Sequence, residues 1–197
     1  TIKILKEDII PANLRASDVD EIKNYQAAMK LMMKDANERK FLSLQLVLDY
    51  HRIAMKHHPD FTGKIRTIEV YIKGNPQFKI TQPERIREEL EGLFEKYNEL
   101  IKRKNPTLEE ILDFAVFFHN EFQHIHPFQD GNSRTTRLIT FHLLQSQNIP
   151  ILDIPFGLLD EYMGYTKGSK KREDKKLMQN LQKIILYNLR KINEKLK

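Results

Sequence analysis

Residues 124–137, with the sequence HIHPFQDGNSRTTR, combine residue types that bind phosphate and move protons. The segment follows a nearly all-apolar stretch and precedes a new helical pattern, so it should end at a helix N-terminus with unpaired N–H groups. The Gly-Asn-Ser turn at 131–133 can add a concave nest of backbone N–H donors. Arg134 and Arg137 stand in the first helical turn and can reach the same side. This corner therefore predicts a binding site for a diphosphate or triphosphate.

Two other side chains of the segment are suited to chemistry beside such a phosphate. Asp130 offers a hard carboxylate that could make one contact with Mg²⁺. His126, as a histidine with an ordinary pKa of about 6.5, is a natural base for a hydroxyl that attacks phosphorus. Taken singly, each residue has an ordinary structural interpretation, because most lone histidines are structural and Asp-Gly-Asn turns are common. The combination and the spacing are what predict a site, with Phe128 expected to point into the core and anchor the loop.

The elements that must position this segment are mainly helices, since Gly (7) and Pro (8) are scarce in the 197 residues. Thr107 and Glu110 have the spacing of a capping box and open an apolar stretch, which predicts a central buried helix ending before the loop. Thr81 and Glu84 predict a second capping box for the helix before it. The fold class expected is all-α.

One stretch departs from the helical period and predicts a β-hairpin over about residues 66–80. Apolar and polar residues alternate along its first arm: Ile68, Val70 and Ile72 against Glu69, Tyr71 and Lys73. A turn follows at Gly74-Asn75, and the apolar pattern resumes after it. Because an isolated hairpin is marginal in water, this one should lean on the helices or pair its edge with another chain.

Composition and charge exclude several functional classes. No apolar run approaches the roughly 20 residues that a membrane helix needs, and no signal peptide is recognisable at residues 1–10. Cysteine is absent, which excludes disulfides and thiolate chemistry and fits a cytoplasmic protein. The net charge of +6 is spread along the chain, so solvated helix faces are favoured and nucleic-acid binding stays a minor alternative.

The residues HPFQDGNSRTTR resemble the signature loop of the Fic family, H-P-F-x-D/E-G-N-G-R-x-x-R, at eight of the nine specified positions. DEIKNYQAAMKLM is similar to the helix that opens many family members, and GKIRTIEVYIKG resembles the hairpin flap over their active site. The resemblance implies one Fic-like helical domain over residues 1–197, with a small β-hairpin flap at about 66–80 and the loop at 126–137. It also implies transfer of AMP from ATP, with Mg²⁺, to a hydroxyl of a target protein.

The resemblance implies a role for the residue at each functional position of the loop. His126 would take the proton from a Ser, Thr or Tyr hydroxyl of the target, and Asp130 would hold Mg²⁺ on the phosphates. The nucleotide phosphates would be bound by backbone and side-chain donors: Gly131, Asn132, Ser133, Arg134 and Arg137. The Asn132 side chain would also lie near the α-phosphate. An extended target segment would pair with the flap: Thr67, Ile68, Glu69, Val70, Tyr71 and Ile72.

Ser133 is the single departure from the pattern, which has Gly there. We expect the following helix to begin at about Arg134, so that Ser133 lies in the turn. Its side chain would then crowd the phosphates, and a left-handed backbone there would cost about 1 kcal/mol. Its hydroxyl could instead donate one more hydrogen bond to a phosphate. The prediction is a working site, slowed if the backbone at Ser133 is left-handed.

Three histidines lie close together in this part of the sequence and raise the alternative of a metal site. His119, His124 and His126 have neither the i,i+4 spacing of one helix face nor a standard zinc pattern. A structural or solvent-facing role is therefore favoured for His119 and His124.

The sequence leaves regulation open. Many family members carry an inhibitory pattern, S/T-x-x-x-E-G/N, whose glutamate pairs with the second loop arginine. Residues 17–22 (SDVDEI) and 169–174 (SKKRED) come nearest, and both fail at the last position. Three interpretations remain: the helix was trimmed, it sits on a partner antitoxin chain, or it is absent. Self-association is a further possibility for the partner of this chain.

Three functions compete with AMP transfer by the loop. The first is transfer of another phosphate-containing group, and the second is removal of AMP from a modified protein. The third is a catalytically silent module that binds a nucleotide or a partner. The intact His-Pro-Phe and both arginines favour a nucleoside triphosphate in the ordinary orientation.

Overall fold

The computed structural model describes most of the chain, over the following residues: 16–72, 78–151, 154–155, 157–159, 161–162 and 174–196. Two features raised by the sequence lie outside this part. They are the turn of the predicted hairpin at Gly74-Asn75 and all but the last residue of the SKKRED segment.

Six long helices form the described part. They are α1 (Ala16–Asn37), α2 (Leu44–Ala54), α3 (Ile86–Lys102), α4 (Leu108–Ile125), α5 (Asn132–Ser146) and α6 (Asp174–Lys195). A single 3₁₀ turn, Pro83–Arg85, leads into α3, and residues 157–159 and 161–162 are also helical. No residue in the described ranges is a strand, so the expected all-α class is confirmed for them.

The start of α4 is fixed by the capping box that the sequence predicts. The Thr107 hydroxyl accepts the Glu110 N–H at 3.2 Å, and the Glu110 carboxylate accepts the Thr107 N–H at 2.7 Å. Two otherwise unpaired donors of the first turn are satisfied in this way. The helix therefore starts at a defined residue, which also fixes where its C-terminal end delivers the loop.

The two helices on either side of the loop form the centre of the domain. Eleven of the fifteen residues of α5 are buried, and α4 buries an aromatic stripe that includes Phe118 and Phe122. The helices α1 and α2 pack on α5, while α3 and α6 pack on α4. Because α4 and α5 are both held inside the domain, the short connection between them is anchored at both ends.

The hairpin expected over residues 66–80 is not formed as a pair of strands in the described part. Residues 66–72 and 78–80 have no regular secondary structure. The backbone N–H groups at their ends bond to the loop region: Arg66 donates to the Pro127 carbonyl at 2.9 Å and Thr81 to the His124 carbonyl at 3.2 Å. The segment is thus tied at its base to the end of α4, and the hairpin itself stays a prediction.

Two buried histidines make the stability of this fold sensitive to acid. Burial lowers the pKa of His119 and of His142 to about 4. The unfolded chain takes up these protons near pH 6.5, so between about pH 6.5 and about pH 4 it binds more protons than the folded chain. We therefore expect the free energy of unfolding to fall across this window, by on the order of 3 kcal/mol per histidine at its lower end. Urea denaturation at several pH values between about 7 and 4.5 measures this slope.

Matched variants separate these two side chains from other sources of acid sensitivity. His119→Gln removes one buried titrating group and should flatten the slope, whatever it does to stability at pH 7. His124→Gln changes an exposed histidine on the same helix and should keep the slope of the parent protein. Equal slopes for all three proteins would contradict the assignment.

Candidate active site

The loop between α4 and α5 turns the chain with a left-handed residue at each end. His126 caps α4 with φ 50° and ψ 58°, and Gly131 caps the start of α5 with φ 77° and ψ 3°. At Gly131 no side chain would fit, because a Cβ would lie 2.8 Å from both Cγ and Sδ of Met55. The loop therefore brings a histidine and a helix N-terminus to the same corner, as the sequence predicts.

Two side chains lock the loop from within. Phe128 is fully buried and stacks on the His51 ring, with the ring centroids 3.8 Å apart and the planes 8° from parallel. Asn132 accepts the Phe128 N–H at 2.9 Å and donates to the Phe128 carbonyl at 2.8 Å. Phe128 thus anchors the loop as expected. The amide of Asn132 is already used by the loop, which leaves its backbone N–H as the group that can face an anion.

His51 is a residue of this corner that sequence reasoning missed. It is fully buried on α2, and its Nδ1 accepts the Gly63 N–H at 2.8 Å. The proton must then be on Nε2, which donates to the Asp130 carbonyl at 3.0 Å. Because the C=O and N–H of a trans peptide point in opposite directions, this bond aims the Gly131 N–H away from His51. Its only sequence signal is a place on the buried face of α2, which also fits an ordinary core residue.

The Asp130 carboxylate accepts that Gly131 N–H, at 2.5 Å. A carboxylate thus occupies the anion-binding position at the start of α5, and it is 57% exposed. The described part of the chain contains no group of three His, Asp or Glu side chains able to hold a metal ion. One exposed carboxylate fits Mg²⁺, which commonly takes one or two protein carboxylates and completes its shell with phosphates and water.

The His126 ring is arranged to act as a proton acceptor. Nδ1 lies 3.3 Å from the Gln123 carbonyl, so the proton of the neutral ring belongs on Nδ1 and the lone pair on Nε2. Burial and, to a smaller extent, the positive charge of Arg66 lower the pKa of His126 to about 4. The ring is consequently neutral at pH 7 and has a lone pair to offer.

The two arginines of the loop both contact α1. Arg134 lies 2.5 Å from a carboxylate oxygen of Glu21 and 3.6 Å from one of Asp130. The Arg137 guanidinium lies 5.8 Å from the centre of the Tyr25 ring. Glu21 is the glutamate of SDVDEI, one of the two nearest matches to the inhibitory pattern, yet it meets the first loop arginine and not the second. Sequence reasoning did not foresee this contact.

Ser133 is the second residue of α5 and therefore has helical backbone. In the described part of the chain, positive φ at residues other than glycine is confined to Arg39, His126 and Asn148. The expected helix start at about Arg134 is wrong, because α5 starts at Asn132 and the left-handed turn falls on Gly131, so the strained backbone considered for Ser133 is not formed. Backbone strain at Ser133 therefore gives no reason to expect a slowed site.

The flap residues lie next to this corner and are largely open to solvent. The most exposed large side chains are Ile68, at 54%, and Tyr71, at 75%. A cavity of about 340 Å³ opens between residues 69–71 and 78–83, and Arg66 contributes to its lining. An exposed segment without regular secondary structure can pair with an extended peptide.

His119 and His124 form no metal-binding group with His126 in the part of the chain that the structure describes. His119 is buried, and its ring meets the Tyr162 ring edge-on at 5.4 Å. His124 is exposed and meets the edge of Phe78 at 6.1 Å. Both positions agree with the structural and solvent-facing roles favoured from the sequence.

None of the described helices has the length and apolar character required to cross a bilayer.

Comparison with known proteins identifies relatives of this chain. The model of the Fic/DOC family matches residues 41–144, which include α2, α3, α4, the whole loop and all but the last two residues of α5. A protein adenylyltransferase Fic from Aedes aegypti is 31% identical over 148 residues, covering 74% of this chain and 28% of that protein. The chain thus spans about 28% of the length of the curated relatives it matches.

Two solved structures share the fold. A Fic domain-containing signaling protein from Bacteroides thetaiotaomicron superposes with a TM-score of 0.75 at 17% identity, over 95% of this chain and 76% of that one. The BepC protein of Bartonella tribocorum, with bound AMPPNP, superposes with a TM-score of 0.55 at 18% identity, over 82% of this chain and 87% of that one.

Proposed function

The chain belongs to the Fic/DOC family, and on that premise we propose that it transfers AMP from ATP to a hydroxyl side chain of a target protein. Its curated relatives are named protein adenylyltransferases, and a structural neighbour binds an ATP analogue. One observation carries the proposal: a neutral histidine with a free Nε2 stands across a short loop from a helix N-terminus flanked by two arginines.

The phosphates of ATP would be held at the start of α5. In this proposal the backbone N–H groups of Gly131, Asn132 and Ser133 face the α- and β-phosphates, and Arg134 and Arg137 bind the outer phosphates. The Asp130 carboxylate would leave the Gly131 N–H and hold Mg²⁺. The metal supplies charge neutralisation on the phosphate oxygens. The N–H groups and guanidiniums then stabilise the charge that develops on the leaving phosphates.

The chemical step uses His126 as the general base. Its Nε2 takes the proton from a Ser, Thr or Tyr hydroxyl of the target while the hydroxyl oxygen bonds to the α-phosphorus. The bond from that phosphorus to the bridging oxygen breaks, and pyrophosphate leaves between the two arginines. A target segment paired with residues 67–72 would deliver the hydroxyl, and the exposure of Ile68 and Tyr71 in this stretch without regular secondary structure supports that role.

Intact-mass measurement tests the reaction class directly. The protein is incubated with ATP and Mg²⁺, alone and with a lysate, and the mass added to any modified protein identifies the transferred group. Addition of AMP with release of pyrophosphate supports the proposal. Addition of phosphate or another group, or loss of AMP from an AMP-modified protein, would replace it with one of the alternative reactions.

A nucleotide-binding module without turnover is the second candidate, and the Glu21 contact favours it. In this arrangement one of the two proposed phosphate ligands, Arg134, is already paired with a carboxylate at 2.5 Å. ATP that binds while Glu21 keeps that guanidinium lacks one ligand of its outer phosphates and is not aligned for transfer. Calorimetry that detects ATP binding while mass spectrometry detects no product over hours would support this candidate.

The same contact gives a prediction for Glu21→Gln. Because the carboxylate both occupies Arg134 and repels phosphate, its removal should tighten binding of ATP with Mg²⁺ by about threefold to fivefold at low salt. Titration calorimetry measures the affinity. Glu38→Gln, which removes an ion pair to Lys40 beyond the end of α1, is the matched control and should change nothing. Weaker binding in Glu21→Gln would mean that Glu21 orients Arg134 for the nucleotide.

A further inference from the structure

Arg66 is a buried cation, and four of its five guanidinium N–H groups donate to backbone carbonyls. It is 2% exposed, and it lies at the start of the flap segment. Its guanidinium nitrogens donate to four carbonyl oxygens: those of His126 at 2.7 Å, Ile68 at 3.0 Å, Thr81 at 2.5 Å and Ile125 at 3.4 Å. Its own backbone N–H donates to the Pro127 carbonyl at 2.9 Å.

These carbonyls belong to the two parts that the proposed reaction must align. Ile125 and His126 end α4, and His126 carries the base. Ile68 and Thr81 lie near the two ends of the flap segment. One planar group therefore joins the backbone of the base to both ends of the segment that would dock the target.

Glu69 and Glu84 stabilise the charge of Arg66 from a distance, and its direct partners in the described part of the chain are backbone carbonyls. The last carbonyls of α4 carry the negative end of the helix dipole, and two of them accept from Arg66. A buried cation held in this way acts on its neighbours through a low dielectric. One of these neighbours is His126: its carbonyl accepts from Nε of Arg66 at 2.7 Å, and the Arg66 charge contributes to the lowered pKa of its ring.

We propose that Arg66 is a positioning residue for the transfer reaction put forward above, on which this inference rests: it fixes the distance between His126 and the target hydroxyl by joining the loop to the flap. Only arginine suits this role. Its five donors lie in one plane and can reach carbonyls on two segments, whereas lysine presents three donors from a single atom. The phosphate-binding end of the loop has its own supports, His51 and Asn132, and does not depend on Arg66.

The test compares Arg66→Gln, Arg66→Lys and a matched control. Arg39 also donates from its guanidinium to a carbonyl near the end of a helix, that of Ile101 at 3.0 Å, but far along the chain from the loop, so Arg39→Gln serves as the control. For Arg66→Gln we expect kcat to fall by about a hundredfold while KM for ATP stays within about threefold. Arg66→Lys should lose about tenfold in kcat. Arg39→Gln should keep both constants.

A titration of the His126 ring by NMR gives a readout that a purely structural role would not move. The pKa of His126 is lowered mainly by burial and further by the Arg66 charge, so it should rise in Arg66→Gln and stay low in Arg66→Lys. Hydrogen exchange at the Thr81 amide should become faster in both variants, because the carbonyl of Thr81 loses its hydrogen bond from the Arg66 guanidinium.

Two results would overturn the proposal. In the first, Arg66→Gln loses kcat, ATP affinity and folded protein together, and Arg66→Lys has the same kcat and KM as Arg39→Gln. The other is an unchanged kcat together with an unchanged His126 titration. If the parent protein transfers nothing, the proposed function fails by itself. The NMR titration and the exchange rates then still decide whether Arg66 joins the flap to the base.

Discussion

Replacing His126 with alanine is expected to lower the rate of AMP transfer by about a thousandfold, the middle of the range for a lost general base. The Nε2 lone pair is the only part of the residue assigned to the reaction, and its pKa of about 4 keeps it unprotonated at neutral pH. ATP affinity should change little, because the phosphates are assigned to the start of α5. Radiolabelled ATP with Mg²⁺ measures the rate, and calorimetry measures the affinity.

His124→Ala is the matched control for this substitution. It removes another histidine two residues earlier, on an exposed position of the same helix. Its rate should stay close to that of the parent protein. Equal labelling of the His126→Ala variant and the parent would end the assignment of His126 as the base, and loss of ATP binding in that variant would show that it supports the phosphate site instead.

The pH dependence of the rate offers an independent check on His126. A general base works when it is unprotonated, so kcat/KM stays level above its pKa in the free protein and falls below it. With a pKa of about 4, the acid limb should lie well below the value of about 6.5 that an ordinary histidine would give. Measurements from about pH 8 down to about pH 5 should therefore show little decline, provided the protein stays folded.

Local signals in the sequence predicted the parts of the fold that depend on neighbours along the chain. The Thr107–Glu110 box formed as expected because both partners lie within one turn, and the ion pair of Glu110 with Arg103 uses its other carboxylate oxygen. At Thr81 the same spacing misled. Its hydroxyl donates to Glu89 at 2.5 Å, its N–H goes to His124, and the helix is entered through a 3₁₀ turn at Pro83. The Thr81 N–H, which a capping box would pair with the Glu84 carboxylate, is bonded to the distant His124 carbonyl instead.

The error at Ser133 has a similar origin. The loop motif fixes which residues meet at the corner, but it doesn't fix where the helix begins. A start at Asn132, two residues earlier than expected, moves Ser133 into helical backbone and places the left-handed turn on Gly131, the residue best able to adopt it. Boundaries of helices are the least predictable feature of a sequence pattern, and a conclusion about strain depends entirely on them.

The supports of the loop could not be predicted, because they come from distant parts of the chain. His51 lies 79 residues before its partner Asp130, and Arg66 lies 60 residues before His126. Each is a buried polar side chain that bonds to backbone carbonyls, which every residue type possesses. No residue pattern around the accepting carbonyl predicts such a hydrogen bond. The sequence therefore predicts the chemical groups of the site, and the fold determines how they are held.

Gly131→Ala should be the most damaging single change at the phosphate end of the loop. Alanine at φ 77° is strained by about 1 kcal/mol. Its Cβ would also lie 2.8 Å from Met55 Cγ and Sδ and 3.1 Å from the Nε2 of His51. Relief requires Met55 or His51 to move, and overpacking of this kind costs about 1–3 kcal/mol. We expect the free energy of unfolding to fall by about 2–4 kcal/mol, which urea denaturation measures.

The functional loss should exceed what this instability alone would cause. His51 aims the Asp130–Gly131 peptide, so displacing its ring turns the Gly131 N–H out of the proposed anion site. Binding of ATP with Mg²⁺ should weaken by at least about tenfold even under conditions where the variant is fully folded, because an oriented donor is lost. Calorimetry on the folded variant measures that loss separately from the change in stability.

Two substitutions isolate the cause. Gly92→Ala adds the same methyl group within α3, where no atom lies within 4 Å of it, and should raise the free energy of unfolding by about 0.5–1 kcal/mol. Ser133→Gly restores the residue of the family pattern at a helical position and should leave ATP affinity and rate nearly unchanged. If Gly131→Ala binds ATP as tightly as the parent while Gly92→Ala behaves as expected, the start of α5 is not the phosphate site, and the arginines must hold the nucleotide elsewhere.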